Sequence, residues 1–497
     1  MGFVMLKSLL LITLSAISAG FAIAQEASTL GAMDVEQPEG WNDGVSLPQA
    51  VDINPDPNIV EIELEAKITE MEIIPGKMTP VWTYNGSLPG PLISANVGDR
   101  LIVHFKNSVP ASTSIHWHGM RLPNNMDGAP GLTQDPIETG GEFTYDYIVG
   151  DAGTYWYHPH IDSAAQVGYG LYGPIIVKDP ADPKVFGDDL VLMLSDMSLE
   201  SDGQFKSPDA GTQFGDLFGR EGEVLLVNGK VMPELKVRQG KQQRWRVINA
   251  TRARYYTLRY KRIPLYKLGG DNGLAARTNI VDEIKIIPGE RADFVFTPPD
   301  APGTEDVLKW YPTDRGYGTT FNRFSEAMMT IKTVDAPAVA PATIPEQLRD
   351  IQPIDITGAT EQEINLTIVI DTKDQVIMGI NGKHHDHAVP IEAKVGETQV
   401  WTVRNDTDFA HPFHMHGFFF QVLDDTRVPE WKDTVDVPSK TFLKLAVTFD
   451  NRPGMWMYHC HILDHAEAGM MGHLHVAPAD ASQVDEHADH GEAQLVH

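Results

Sequence analysis

Cys460 is the only cysteine in the 497-residue chain, and it stands between two histidines in His459-Cys460-His461. His465 and Met470 follow shortly after it. Thiolate, imidazole and thioether are the soft and borderline donors that bind copper. A Cys with two His and a long axial Met is the usual set of a blue-copper electron-transfer centre. Cys460, His465 and Met470 supply three of those four donors, so one histidine has to come from elsewhere in the chain. The competing reading is a free cysteine buried as a small hydrophobe among unrelated histidines. The other histidines decide between the two.

Successive side chains of an extended strand point to opposite faces. Cys460 then faces one way while His459 and His461 face the other. One tripeptide would hold one copper by its thiolate and touch a second metal group through its neighbours, with a few covalent bonds between them. The chain has 19 histidines, and none lies between residues 161 and 383. His116-Trp117-His118-Gly119 and His158-Pro159-His160 lie early; His414-Met415-His416-Gly417 and His459-Cys460-His461 lie late. Each pair puts two imidazoles on one side of a strand. The eight converge only if the early and late parts of the chain meet face to face. His411, at the head of His411-Pro412-Phe413-His414, is left over and supplies the missing ligand of the Cys460 copper. One His-X-His pair alone is weak evidence, but four pairs with a Cys-His-Met set leave little room for chance.

The strands that must carry these residues show as an internal repeat. Asn85-Gly86 recurs as Asn228-Gly229 and as Asn381-Gly382. After each copy a glycine opens an alternating run that ends in asparagine: Gly98 to Asn107, Gly240 to Asn249, Gly396 to Asn405. Each is a turn entering a period-2 strand, and the spacing is of domain size. Three β domains are predicted at 55–178, 179–338 and 339–478, the middle one without copper ligands, each an antiparallel Greek-key β-sandwich. Lys7 and the apolar run from Leu9 to Ile23, closed by Ala22-Ile23-Ala24, predict an export signal over residues 1–24. Residues 25–54 read as a loose leader, and 479–497 as a disordered acidic and His-bearing tail. No later stretch is long enough to span a membrane. The expected location is therefore periplasmic or secreted. A formal charge of -29 argues strongly against nucleic acid and anionic membrane as partners, while the oligomeric state is not legible.

From about Ile59 to Val476 the sequence resembles the multicopper oxidases, the laccase-like family, through the four His-X-His motifs, His411 and the Cys460–Met470 segment. The resemblance implies three cupredoxin-like domains in an all-β fold and four copper ions, one of type 1, one of type 2 and two of type 3. It implies that His411, Cys460 and His465 bind the type 1 copper with Met470 axial. His116 and His414 would bind the type 2 copper. His118, His158 and His461 would hold one type 3 copper, and His160, His416 and His459 the other. The implied activity is one-electron oxidation of a small donor coupled to four-electron reduction of O2 to water. Protons are expected from Asp464, inside the His461–His465 spacer, and from Asp127, which matches an acid on the type 2 side. An axial methionine lowers the demand for a very high potential, which favours phenolic and similar easily oxidised donors. Cuprous ion is the rival donor, but a site dedicated to it would offer a Met-rich insert, and none precedes Met470. A non-catalytic scaffold relative would have lost ligands, and none is missing here.

Other tempting residues are set aside. His384-His385-Asp386-His387 reads as a solvated turn. His473 and His475 read as packing or edge positions of the last strand, and His104 as a strand residue without a partner. Met328-Met329 reads as a core pair.

Overall fold

The computed structural model describes residues 44–179, 188–208, 212–261, 263–316, 325–370 and 376–479. The expected export signal and all but the first residue of the expected tail lie outside them.

Asn85, Asn228 and Asn381 adopt left-handed φ values of 53°, 51° and 54°, the conformation that asparagine tolerates and a tight Asn-Gly turn needs. Each asparagine clasps the preceding strand in the same way. Its side-chain oxygen accepts the N–H of Glu65, Met193 or Asn365, and its own N–H donates to that residue's carbonyl. The strand so held runs parallel to the one that ends in the second asparagine of the repeat. Ile59–Ile74 pairs with Arg100–Asn107, Asp188–Met197 with Gln243–Asn249, and Thr360–Ile370 with Thr398–Asn405. Asn107, Asn249 and Asn405 are fully buried. Their amides donate to two carbonyls each: Ala111 and Ile137, Arg254 and Ile286, Phe409 and Val437. Such satisfied polar side chains pin the end of a strand where apolar packing alone would let it slip.

Among the described residues the strands form six sheets, two each from residues 59–178, 188–333 and 360–477. The fold is all-β, built of cupredoxin-like sandwiches. Alternation gives each a core: in Arg100–Asn107, Leu101, Val103 and Phe105 turn inward while Arg100, His104 and Lys106 face water. Each such side chain contributes roughly 1.5–3 kcal/mol when fully buried. In the last strand, Met471–Ala477, Leu474 and Val476 are buried and His473 and His475 lie on the other face. Met328 and Met329 are buried in the middle core.

The three units are welded by apolar seams. Ile73, Val81, Trp156 and Val167 pack with Met193, Leu226, Val231 and Ile248, and with Leu463 from the C-terminal region. Phe419 enters the first core, and Ala253, Tyr255 and Ile287 enter the third. Three expectations need correction. The sandwiches are mixed rather than antiparallel throughout, since each unit pairs one strand in parallel with the strand that ends in its buried asparagine. The leader is not loose where it is described: Val45 is buried in the middle core and its carbonyl accepts from Asn228, because an apolar side chain there finds a dry slot. His104 has a partner, Glu61 on the adjacent parallel strand, at 2.8 Å.

Candidate metal centre

The first and third units build their histidine strands in the same register. His116 lies opposite His158 on neighbouring antiparallel strands, and His414 lies opposite His459. The strand His116–His118 therefore meets the strand His411–Met415 as a near-copy of itself. His116 stacks on His416 with ring centroids 3.8 Å apart, and His118 stacks on His414 at 3.9 Å. On those strands, Trp117 and Phe413 point the opposite way into the two cores, as strand alternation requires.

All eight imidazoles converge. Donor atoms of His118, His158 and His461 lie within 4.8 Å of one another, as do those of His160, His416 and His459, and those of His116, His118 and His414. Hydrogen bonds to one ring nitrogen orient most of the rings and leave the other nitrogen toward the cluster. Nδ1 of His116, His158, His414 and His459 donates to the carbonyls of Asp127, Pro159, Asp433 and Cys460. His416 Nδ1 meets Asp127 Oδ2 at 2.8 Å. The facing atoms, Nε2 of His116, His158 and His414 and Nδ1 of His118, are buried with no hydrogen-bond partner, and both nitrogens of His461 share that state. Buried unpaired nitrogens are costly in an apoprotein, but a metal cluster satisfies them; ligating histidines held by outer hydrogen bonds are the usual arrangement. Burial, reinforced by neighbouring imidazoles, holds His118, His158, His160, His416, His459 and His461 well below the ordinary histidine range. They are thus neutral, the form that binds metal.

Cys460 points away from this cluster. Its Sγ lies 3.5 Å from His411 Nδ1 and 3.6 Å from His465 Nδ1, and those two nitrogens are 3.1 Å apart. All three residues are buried. Outer bonds again fix the rings: His411 Nε2 meets Thr407 Oγ1 at 2.8 Å, and His465 Nε2 donates to the Leu217 carbonyl at 3.1 Å. Burial lowers His465 to about 3 and raises the Cys460 thiol. A buried soft donor whose thiol proton is costly to remove suits a metal that displaces that proton. Met470 is buried in the same apolar cluster, and its carbonyl accepts from the Cys460 N–H.

The two expected acids behave differently. Asp127 is buried between His116 and His416. Burial pushes its carboxyl up, but His416 and His116 outweigh burial and hold it well below the usual range. Asp464 is buried as well, but Arg220 engages both of its oxygens, through the guanidinium and through the backbone N–H at 2.6 Å. Its hydrogen bonds therefore run to the middle unit.

Sequence reasoning missed Asp433. It is buried with Oδ1 3.2 Å from His118 Nε2 and 3.4 Å from His414 Nδ1. Burial raises this carboxyl, but the Arg291 guanidinium outweighs burial and holds it well below the usual range. Arg291 comes from the histidine-free middle unit and is itself fully buried, donating to both Asp433 oxygens. Asp271 supports the pair by accepting the backbone N–H groups of Arg291, Asp433 and Thr434. Gly119, at φ +83°, leaves the space: a Cβ there would lie 2.2 Å from Arg291 Nη2 and 2.6 Å from Asp433 Oδ2. Gly289 of the middle unit similarly lets its backbone rest against the His461 ring, where a Cβ would come within 2.8 Å. The sequence signal was faint: Asp433 sits in a run without histidine, and Arg291 follows an ordinary Pro-Gly turn.

Residues 65–182 and 355–480 each match a family model described as multicopper oxidase. A multicopper oxidase of Staphylococcus aureus is 28% identical over 458 residues, covering 88% of this chain and 93% of its own. A laccase of Bacillus subtilis is 27% identical over 472 residues, covering 79% and 89%. Among solved structures, a multicopper oxidase of Campylobacter jejuni described as a metallo-oxidase has a TM-score of 0.79 at 30% identity, covering 89% of this chain and 97% of that one. With donor sets of this kind in an all-β frame, the chain belongs to the multicopper oxidase family, laccase-like oxidoreductases with oxygen as electron acceptor.

Proposed function

We propose that this is an exported enzyme that binds four copper ions and couples one-electron oxidation of a small donor to reduction of O2 to water. The single observation that carries the reading is the His459-Cys460-His461 strand. Its thiol belongs to one buried donor set and its two imidazoles to another. His411, Cys460 and His465, with Met470 axial, would hold a type 1 copper; His116 and His414 the type 2; His118, His158 and His461 one type 3, and His160, His416 and His459 the other. Copper at these positions supplies single-electron acceptance at the thiolate site and multi-electron transfer to O2 at the cluster. The chain's own contribution is geometric and protic. Outer hydrogen bonds fix the ring orientations, burial keeps the imidazoles neutral, and the seam between the first and third units excludes water. Asp127 stands beside His116 and His416 as a carboxylate able to accept a proton and pass it on. Asp464 serves in proton supply only if Arg220 releases it.

Phenolic or similar small donors are the favoured substrates. The axial Met470 lowers the demand for a very high potential, which favours such easily oxidised donors. Cuprous oxidation is the second reading, favoured by the likeness to a protein described as a metallo-oxidase. Metal analysis should give about four coppers per chain, as the family's ligand set requires. Oxygen uptake should be faster with a small phenol than with chelated Cu(I). Efficient turnover of Cu(I), with phenols oxidised only when copper is added, would reverse the ranking. A protein holding a single copper would sink the enzyme assignment itself.

A further inference from the structure

The turn His384-His385-Asp386-His387 is not simply a solvated loop. His384 and His385 are each about two-thirds covered, and their rings lie 4.5 Å apart. Both aim a nitrogen at the same carboxylate. His384 Nδ1 is 3.1 Å from Asp386 Oδ2, and His385 Nε2 is 2.9 Å from Asp386 Oδ1. His384 Nδ1 also lies 3.4 Å from the Asp386 backbone nitrogen. His385 Nδ1 is buried with no partner. Burial lowers His385, and the neighbouring His384 and His473 add to that. The donors are thus two imidazoles and one carboxylate with a further imidazole beside them, a set suited to borderline divalent transition metals.

The location gives the cluster a consequence. The His384 ring packs against Gly469, where an added Cβ would come within 2.1 Å of the ring. Gly469 directly precedes Met470, whose N–H and carbonyl tie it to His465 and Cys460. We infer that His384, His385 and Asp386 form a surface binding site for one divalent transition-metal ion, additional to the four coppers, whose charge is felt at the Cys460 centre through the Gly469–Met470 backbone. The site does not depend on the donor chemistry proposed above. A bound dication adds positive charge beside the thiolate centre, which favours the reduced state there and raises its potential.

Zinc, which is redox-inert, tests this on the full, copper-loaded protein by equilibrium dialysis with metal analysis, alongside redox titration of the blue absorption band. The wild type should take up one more zinc than the His384→Ala/His385→Ala double variant, or bind it at least about tenfold more tightly, since even the loss of an outer-sphere partner typically weakens metal binding that much. Zinc should raise the potential of the blue centre in the wild type and leave it unchanged in the double variant. Equal zinc uptake and affinity in both proteins would overturn the site. Zinc uptake without any shift in wild-type potential would overturn the link to Cys460. Should the double variant lose copper, Asp386→Asn carries the same comparison. Because zinc uptake is read without turnover, a failure here is separate from a failure of the oxidase reading.

Discussion

The first and third units of this protein carry all the candidate metal ligands, while the middle unit carries no histidine, yet the three repeat the same Asn-Gly turn and the same buried asparagine. The outer units supply the donors. The middle unit supplies supports: Arg291 and Asp271 hold Asp433, Arg220 holds Asp464, and the Leu217 carbonyl fixes His465. Donors need lone pairs and can be read from residue type. Supports need only to be placed correctly, and a charge, an amide or a carbonyl does equally well. The comparison teaches that a unit without ligands can still set the geometry of both metal groups.

Removing a donor and removing a support should therefore differ in kind. The largest effect is expected for Cys460→Ser, which takes away the thiolate of one group and the covalent bridge to the other. The blue colour and all turnover should vanish while the cluster histidines keep their copper, as absorption spectra and metal analysis will tell; a variant that stays blue would refute the assignment. Next comes Arg291→Met, which leaves Asp271 and Asp433 buried without their shared cation. Breaking such a pair typically costs about 3–5 kcal/mol, visible in denaturant unfolding of the copper-free protein. A loss under about 1 kcal/mol, the range of an exposed pair, would mean that the middle unit is not the support described.

Acid sharpens the comparison from the donor side. Unfolded histidines take up protons as pH falls through about 6.5, whereas buried His465 does so only near about 3, and seven of the eight cluster histidines are also lowered. Between those values the unfolded chain binds more protons, so stability of the copper-free protein should drop steadily as pH is lowered through this window. Asp127 and Asp433, held below their usual range, add a further loss as pH falls below about 4. A stability flat between those limits in pH-dependent unfolding would show that the imidazoles are not held neutral. The smallest effect is expected for Asp464→Asn. It weakens the clasp on Arg220 by about 1–3 kcal/mol, and should slow reoxidation by O2 less than Asp127→Asn does in stopped-flow traces. If Asp464→Asn is the slower of the two, the spacer acid is the proton source after all and Arg220 only tunes it.

Much of this was legible in residue order. The His-X-His spacing and the lone Cys460 named the donors, and the Gly-to-Asn runs named the strands that present them. Asp127 was found because it follows a ligand motif closely. Asp433 was not, because its importance comes from Arg291, which lies 142 residues earlier in the chain. His104 and Val45 were misread for the same reason, since their partners Glu61 and the middle core are remote or on a neighbouring strand.

By itself, the sequence determined which atoms can bind metal and which face of each strand they occupy. Side-chain alternation is a local property of an extended backbone and needs no knowledge of neighbours. The docking of the units, by contrast, sets His116 on His416 and His118 on His414, brings Arg220 to Asp464, and lays the Leu217 carbonyl against His465. Those choices depend on how three sandwiches dock through apolar seams. Such seams are set by the summed shape of many side chains, which no short stretch of sequence encodes.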